Sequence, residues 1–177
     1  MTWPHGAKYV GQWRNHVREG TGTHTWADGH KYIGEWRNDV QEGHGAYMWT
    51  DGAKYVGEFQ NNVKEGAGTY TFPDGGEYVG AFGNDKFEGT GTNTWTDGRK
   101  YVGEWQNNVK EGHGTLTWPD GSTYTGGWKK NVRHGGGLYR DENGQLFQEE
   151  WEHGQRTKHE LLSFATSNFL VAYKEAK

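Results

Sequence analysis

The stretch "KYIGEWRNDVQEGHG", Lys31–Gly45, decides the fold. From Tyr32 to Trp36 large apolar residues alternate with polar or small ones, the period of a strand that turns one face to a core. Three glycines, Gly34, Gly43 and Gly45, stand where strand interiors normally carry side chains. Glycine weakens a strand unless a neighbour needs the space. These three therefore predict a bulky group lying against them.

The phrase returns along the chain in strict register. Tyr9, Tyr32, Tyr55, Tyr78, Tyr101, Tyr124 and Phe147 follow one another at intervals of about 23 residues, a period that marks a repeat architecture. Two residues after each tyrosine comes a glycine: Gly11, Gly34, Gly57, Gly80, Gly103 and Gly126. Two further on stand Trp13, Trp36, Phe59, Phe82, Trp105, Trp128 and Trp151, then glycine pairs such as Gly20/Gly22 and Gly43/Gly45. A second aromatic follows at Trp26, Trp49, Phe72, Trp95 and Trp118, before a turn Asp-Gly or its equivalent.

Within a unit, "YIGEW" reads as a first strand, "RNDVQE" as a loop and "GHGAYMW" as a second strand. The Asp-Gly that follows is a turn into the next unit. The expected fold is an all-β repeat protein: an elongated, twisted, single-layer antiparallel meander of β-hairpins. About 4.8 Å per strand advances the sheet roughly 10 Å per repeat, on the order of 60 Å in all. About 20° of twist per strand predicts that the aromatic face is concave. The expected register places Trp36 opposite Gly43, Gly34 opposite Gly45 and Tyr32 opposite Tyr47. Across the preceding turn it places Trp36 opposite Gly22 and Tyr32 opposite Trp26. Facing residues stand only about 5 Å apart, so the glycines read as sockets for the Trp36 indole and its equivalents. The opposite face carries Val10, Ile33, Val56, Val79 and Val102 with threonines, glutamates and lysines, and reads as solvated.

The pattern Tyr-x-Gly-Glu-Trp, a short loop, Gly-x-Gly and then Pro/Thr-Asp-Gly resembles the MORN (membrane occupation and recognition nexus) repeat. The resemblance covers residues 2 to about 154 and implies an elongated antiparallel sheet with aromatic rows. It also implies a binding, scaffolding or dimerising role, with lipid binding in some members. The expected organisation is a repeat array over 2–154, with a partial first unit, six regular units and a degenerate last one. The segment 155–177 leaves the period and spaces Leu162, Ala165, Phe169 and Ala172 as a helix would, so it reads as a C-terminal amphipathic helical cap. Two departures from the family remove positive charge. Val17, Val40, Val63, Val109 and Val132 stand where the loop lysine is usual, and Glu19, Glu42, Glu65, Glu88 and Glu111 where histidine is usual. The fourth unit is the oddest, with Ala81 in place of Glu and Phe87 in its loop.

Composition bounds the function. Only 31% of the 177 residues are hydrophobic, yet 15% are aromatic, which opposes disorder and favours a thin sheet organised by rings. A net charge of −4 gives no bulk field to recruit nucleic acid. The chain holds no Cys, which removes disulfide, thiolate and Cys–metal chemistry. No apolar run reaches a membrane span, and "MTWPHGAKYVG" lacks a signal-peptide core, so a cytoplasmic location is expected.

No catalytic, cofactor or metal site is expected. The nine histidines lack the i, i+4 spacing of a zinc motif and read as exposed polar filler. Asp28, Asp51, Asp74, Asp97 and Asp120 each precede a glycine, and turn chemistry accounts for them without calcium. Glu35, Glu58 and Glu104 read as solvated charge. The expected function is a non-catalytic protein-interaction or scaffolding module presenting an aromatic groove. Its lining would be Tyr9, Trp13, Tyr32, Trp36, Tyr55, Phe59, Tyr78, Phe82, Tyr101, Trp105, Tyr124 and Trp128. The expected partner is another protein or peptide, helical or extended, or a second copy of the chain. Lipid-headgroup binding is the alternative, and a carbohydrate- or choline-binding array a further one.

Overall fold

The computed structural model describes residues 1–162, and every element there is a β-strand. Hairpins are formed by β1 (Lys8–Arg14) with β2 (Val17–Thr25), β3 (Lys31–Arg37) with β4 (Val40–Met48), β5 (Lys54–Gln60) with β6 (Val63–Thr71), and β7 (Glu77–Gly83) with β8 (Lys86–Thr94). They continue as β9 (Lys100–Gln106) and β10 (Val109–Thr117), β11 (Thr123–Lys129) and β12 (Val132–Arg140), and β13 (Leu146–Glu152) and β14 (Gln155–Leu161). The strands lie in one sheet in chain order, an open antiparallel meander as the repeat predicted. By contacts the chain divides into two compact units, the first Met1–Thr96 with Gln106–Asn108, the second Asp97–Trp105 with the described residues from Val109 onward.

Two features differ from the sequence reading. The six-residue loop is a two-residue turn. In the second repeat Arg37 faces Val40, with Asn38 at φ 48° and Asp39 at φ 67°. Two successive positive-φ residues are the mark of the type I′ turn, whose twist matches that of the flanking strands. The expected C-terminal helix is corrected over Gln155–Leu161, which pair with β13 as strand β14. Leu162 still donates its N–H to the Leu146 carbonyl. The rest of that expectation, with Ala165, Phe169 and Ala172, lies outside the described residues.

The short turn also corrects the register. Tyr32 faces Tyr47 and Gly34 faces Gly45 as expected, but the ladder then shifts and Trp36 faces Gln41. Across the preceding turn Trp36 faces Gly20, Gly34 faces Gly22, and Tyr32 faces His24 rather than Trp26. The shift is a β-bulge at Gly43, which sits at φ 65°, a conformation that glycine adopts without steric cost. The socket glycines therefore receive a different ring. A Cβ at Gly34 or Gly45 would run into the Tyr32 phenol, not the Trp36 indole.

Candidate functional site

Each tyrosine of the first column lies flat along its own strand, over a facing pair of glycines. Its hydroxyl donates to the carbonyl three residues on: Tyr32 to Glu35 at 3.0 Å, Tyr55 to Glu58 at 2.9 Å, Tyr78 to Ala81 at 3.0 Å. The same bond recurs at Tyr9, Tyr101 and Tyr124. For Gln12, Glu35, Glu58 and Gly127 that carbonyl belongs to a residue the bulge removes from the hairpin ladder, so the phenol satisfies what the bulge leaves unpaired, whereas Ala81 keeps Glu88 as its partner. The Glu35 carboxylate meets the other orphan by accepting the N–H of His44 at 2.8 Å, and Glu104 does so for His113. The glutamate column read as solvated charge is thus part of the backbone bonding.

The twelve residues expected to line a groove are mostly the core. Tyr9, Tyr32, Tyr55, Tyr78, Tyr101 and Tyr124 are fully buried, and Trp36, Phe59, Phe82, Trp105 and Trp128 nearly so; Trp13 is exposed. In the first unit they form one edge-to-face chain, Trp13–Tyr9–Trp36–Tyr32–Phe59–Tyr55–Phe82–Tyr78, with centroids 4.8 to 5.6 Å apart. Edge-to-face pairs contribute about 0.5–1.5 kcal/mol each beyond burial. In the second unit Tyr101, Trp128, Tyr124 and Trp151 continue in the same way. Burial pushes the Tyr78 and Tyr124 phenols up to about 12, and those of Tyr32, Tyr55 and Tyr101 higher still.

A second aromatic row in the first unit is only half-buried. Trp26, Tyr47, Trp49, Tyr70 and Phe72 touch in sequence, with centroids 4.4 to 5.6 Å apart. Tyr47 faces Tyr32 across the hairpin and Tyr70 faces Tyr55, so this row shares the face of the buried one. Phe87, expected in the loop of the oddest unit, stacks on Tyr78 at 3.7 Å and lies edge-on to Phe72.

Phe87 occupies a column that the sequence reading missed: Arg18, Gln41, Lys64, Phe87, Lys110 and Arg133, each 23 residues from the next. Its cationic members lie over the rings. The Arg18 guanidinium sits 3.9 Å from the Trp36 centroid, Lys110 5.0 Å from Trp128, and Arg133 3.6 Å from Trp151. The turn of the following hairpin holds each in place. Asp39 gives its N–H to the Arg18 carbonyl and accepts from the Arg18 backbone N–H and Nε, both at 2.9 Å. This pulls the Asp39 carboxyl below the usual carboxylate range, first through the Arg18 backbone bond. Asn62, Asp85 and Asn131 hold Gln41, Lys64 and Lys110 alike. Glu19 accepts from Asn38, Glu42 from Asn61, and Glu65 from Asn84, which places the unusual glutamate column in the same clamp. A fixed 19- and 21-residue offset between polar columns was the available signal.

The repetition stops in the last unit. Phe147, lacking a hydroxyl, stands in the tyrosine column, and Glu149 takes the place of the socket glycine. Glu149 faces His159 on β14 and bonds it at 2.8 Å, with Arg156 at 3.0 Å and the Trp151 indole N–H at 2.9 Å. Phe147 has no socket and stacks on His159 at 4.3 Å. Beside this group opens a cavity of about 450 Å³.

The turn aspartates act as expected, each accepting the N–H two residues on, as Asp51 does from Ala53 and Asp120 from Ser122. The histidines do not all read as exposed filler. His44 and His113 are exposed, but His24 is buried between Trp3 and Trp26, and burial lowers its pKa. His134 lies in strand β12.

No curated protein matches the chain in sequence. Among solved structures it is similar to the TCP domain of Drosophila melanogaster SAS-4 (dCPAP), in complex with a proline-rich motif of Ana2 (dSTIL). The identity is 12%, covering 87% of this chain and 89% of that one, with a TM-score of 0.46. It is also similar to the wild-type TCP10 domain of Danio rerio CPAP, at 13% identity over 90% of this chain and 97% of that one, with a TM-score of 0.32. The family model for the MORN repeat matches residues 9–31, 32–54, 55–77, 78–98, 101–123 and 124–146, and the chain belongs to the MORN-repeat family.

Proposed function

We propose that this chain is a non-catalytic protein-interaction module whose partner, a peptide segment of another protein, lies along the outer aromatic row of the first unit. The observation that carries this reading is the pairing of two rows on one face. The inner row, Tyr9 to Phe82, is buried and forms a stiff floor. The outer row, Trp26, Tyr47, Trp49, Tyr70 and Phe72, is half-buried and is covered by no second layer among the described residues. Rigid Trp and Tyr rings supply contact area at low entropic cost and are the residues most enriched at binding hot spots. The eight inner residues of the first unit, Tyr9, Trp13, Tyr32, Trp36, Tyr55, Phe59, Tyr78 and Phe82, act in this reading by supporting the outer rings from beneath. Repetition opposes catalysis, which needs a unique constellation.

A peptide library displayed on phage and panned against the full chain tests the reading. Enriched peptides should bind a Trp49→Ser/Tyr70→Ser variant at least ~10-fold more weakly, a loss of about 1.4 kcal/mol. Its circular dichroism and melting temperature should stay close to those of the parent. Equal affinity for parent and variant rejects the reading, as does a library that enriches nothing.

A further inference from the structure

We propose that the cavity of the last repeat is a docking pocket for a single side-chain carboxylate, an Asp or Glu flanked by apolar residues on a partner peptide. Arg133 is its anchor. The array supplies its own reference. In the first repeat the Arg18 guanidinium lies on Trp36 and its donors are engaged: Nε by the Asp39 carboxylate, one terminal nitrogen by the Asp39 carbonyl at 2.8 Å, the other by His24 at 3.2 Å. Arg133 occupies the same column and lies on Trp151 in the same way. The residue 21 positions on, which is Asp39 for Arg18, is Gly154 for Arg133. Gly154 still donates its N–H to the Arg133 carbonyl at 3.0 Å, so the backbone clamp is kept while the carboxylate is missing.

The Arg133 guanidinium donates no hydrogen bond to the described residues, and its one ion pair, to Glu149, is long at 4.0 Å. A guanidinium presents five N–H donors in a planar fork that suits a carboxylate. Glu149 cannot serve both arginines closely, because Arg156, His159 and the Trp151 indole already engage its two oxygens. The open fork of Arg133, not the net charge of the lining, selects the carboxylate: Arg133 and Arg156 stand against Glu149, Asp120 and Asp141, which leaves no surplus positive charge. Trp118, Tyr139 and Phe147 line the same cavity and supply the apolar wall for the flanking residues. Asp120 and Asp141 stand in turns that also line it, each accepting backbone N–H groups, and their charge disfavours a dianion such as phosphate. Glu149 in the glycine column, which displaces Phe147 from the tyrosine position, makes this cavity specific to the last repeat.

The inference rests on the interaction-module reading but uses different residues, so the two fail separately. The test is nuclear magnetic resonance of the isotope-labelled full chain, following the Arg133 Nε–H and the Trp118 and Trp151 indole signals. The probes are acetyl-Phe-Glu-Phe-amide, its Gln counterpart and inorganic phosphate. The Glu peptide should shift those signals saturably, in the millimolar range expected of a tripeptide. The Gln peptide should bind at least ~10-fold more weakly, and phosphate should not displace the Glu peptide. Arg133→Gln should abolish the shifts. Gly154→Asp, which restores the first-repeat acceptor, should also abolish them; its Cβ meets Val132 at 3.2 Å at φ 82°, so a lower melting temperature is expected and the variant is read only with its parent-like circular dichroism verified. Equal binding of the Glu and Gln peptides overturns the proposal. So does binding unaltered by both substitutions, displacement by phosphate, or the absence of any shift at millimolar peptide.

Discussion

The tyrosine of each repeat does three things with one side chain: it fills a glycine socket, supports the ring edge-on to it and satisfies the carbonyl at the bulge. All three require the neutral phenol. Desolvation raises the pKa of Tyr78 and Tyr124 to about 12, above the ordinary value of about 10. A group whose pKa is raised on folding lends stability that is complete below the unfolded pKa and is lost as pH climbs through the folded one. The chain should therefore hold its melting temperature up to about pH 10 and lose it steeply from there toward pH 12. Tyrosinate absorbance near 295 nm should rise in two stages, the half-buried tyrosines first and the buried column together with loss of the far-ultraviolet signal. A single smooth rise near pH 10 contradicts this. At this scale the sequence was half legible. Period alone placed tyrosine, glycine and tryptophan on one face. Which ring enters the socket depends on two extra residues in β4 around Gly43, a shift that keeps every side chain on its face and so leaves strict alternation unbroken. Counting outward from a two-residue turn at Asn38–Asp39 sets Trp36 against Gln41 and finds it.

The hairpin is held by acidic side chains as much as by the ladder. Glu35, Glu58 and Glu104 accept N–H groups that the bulge strands, so the invariance of Glu in "YIGEW" and "YVGEW" is a backbone requirement. Two units lack this acceptor. In the sixth, Gly127 sits so close to the His134 carbonyl that no Cβ fits. In the fourth, Ala81 has room, and Ala81→Glu should cap the bulge at Gly89 and stabilise the chain by roughly 0.5–1.5 kcal/mol, the worth of one hydrogen bond. Chemical denaturation at neutral pH measures it; a lower midpoint would contradict the bulge-cap assignment. The turn clamps were not legible as such. Asn and Asp in the loop announced tolerance of positive φ, but their partners lie 19 and 21 residues upstream, beyond the reach of local patterning.

Across the whole chain, repetition made the fold class readable, and the breaks in repetition were where reading failed. The segment after Gly154 has helical spacing, yet Gln155–Leu161 form a strand because Glu149 is buried and needs Arg156 and His159 beside it. An unpaired buried carboxylate costs several kcal/mol, a tertiary demand that outweighs local propensity. Deleting residues 155–177 should therefore loosen the last hairpin well beyond the loss of one edge strand. Hydrogen exchange should accelerate throughout β13 and into β12, while Glu149→Gln in the shortened chain restores part of the protection. Unchanged exchange in β13 would count against the buried carboxylate as the cause.

The turn clamps carry a last consequence for how such a chain can change in length. Each of the first five hairpins is finished by side chains that pair with the next one, at offsets of 19 and 21 set by the 23-residue period. An insertion or deletion inside the array disrupts two clamps at once unless it spans a whole repeat. The molecule can thus grow or shrink only in steps of one repeat, a fixed quantum of length written into the spacing of its acidic side chains.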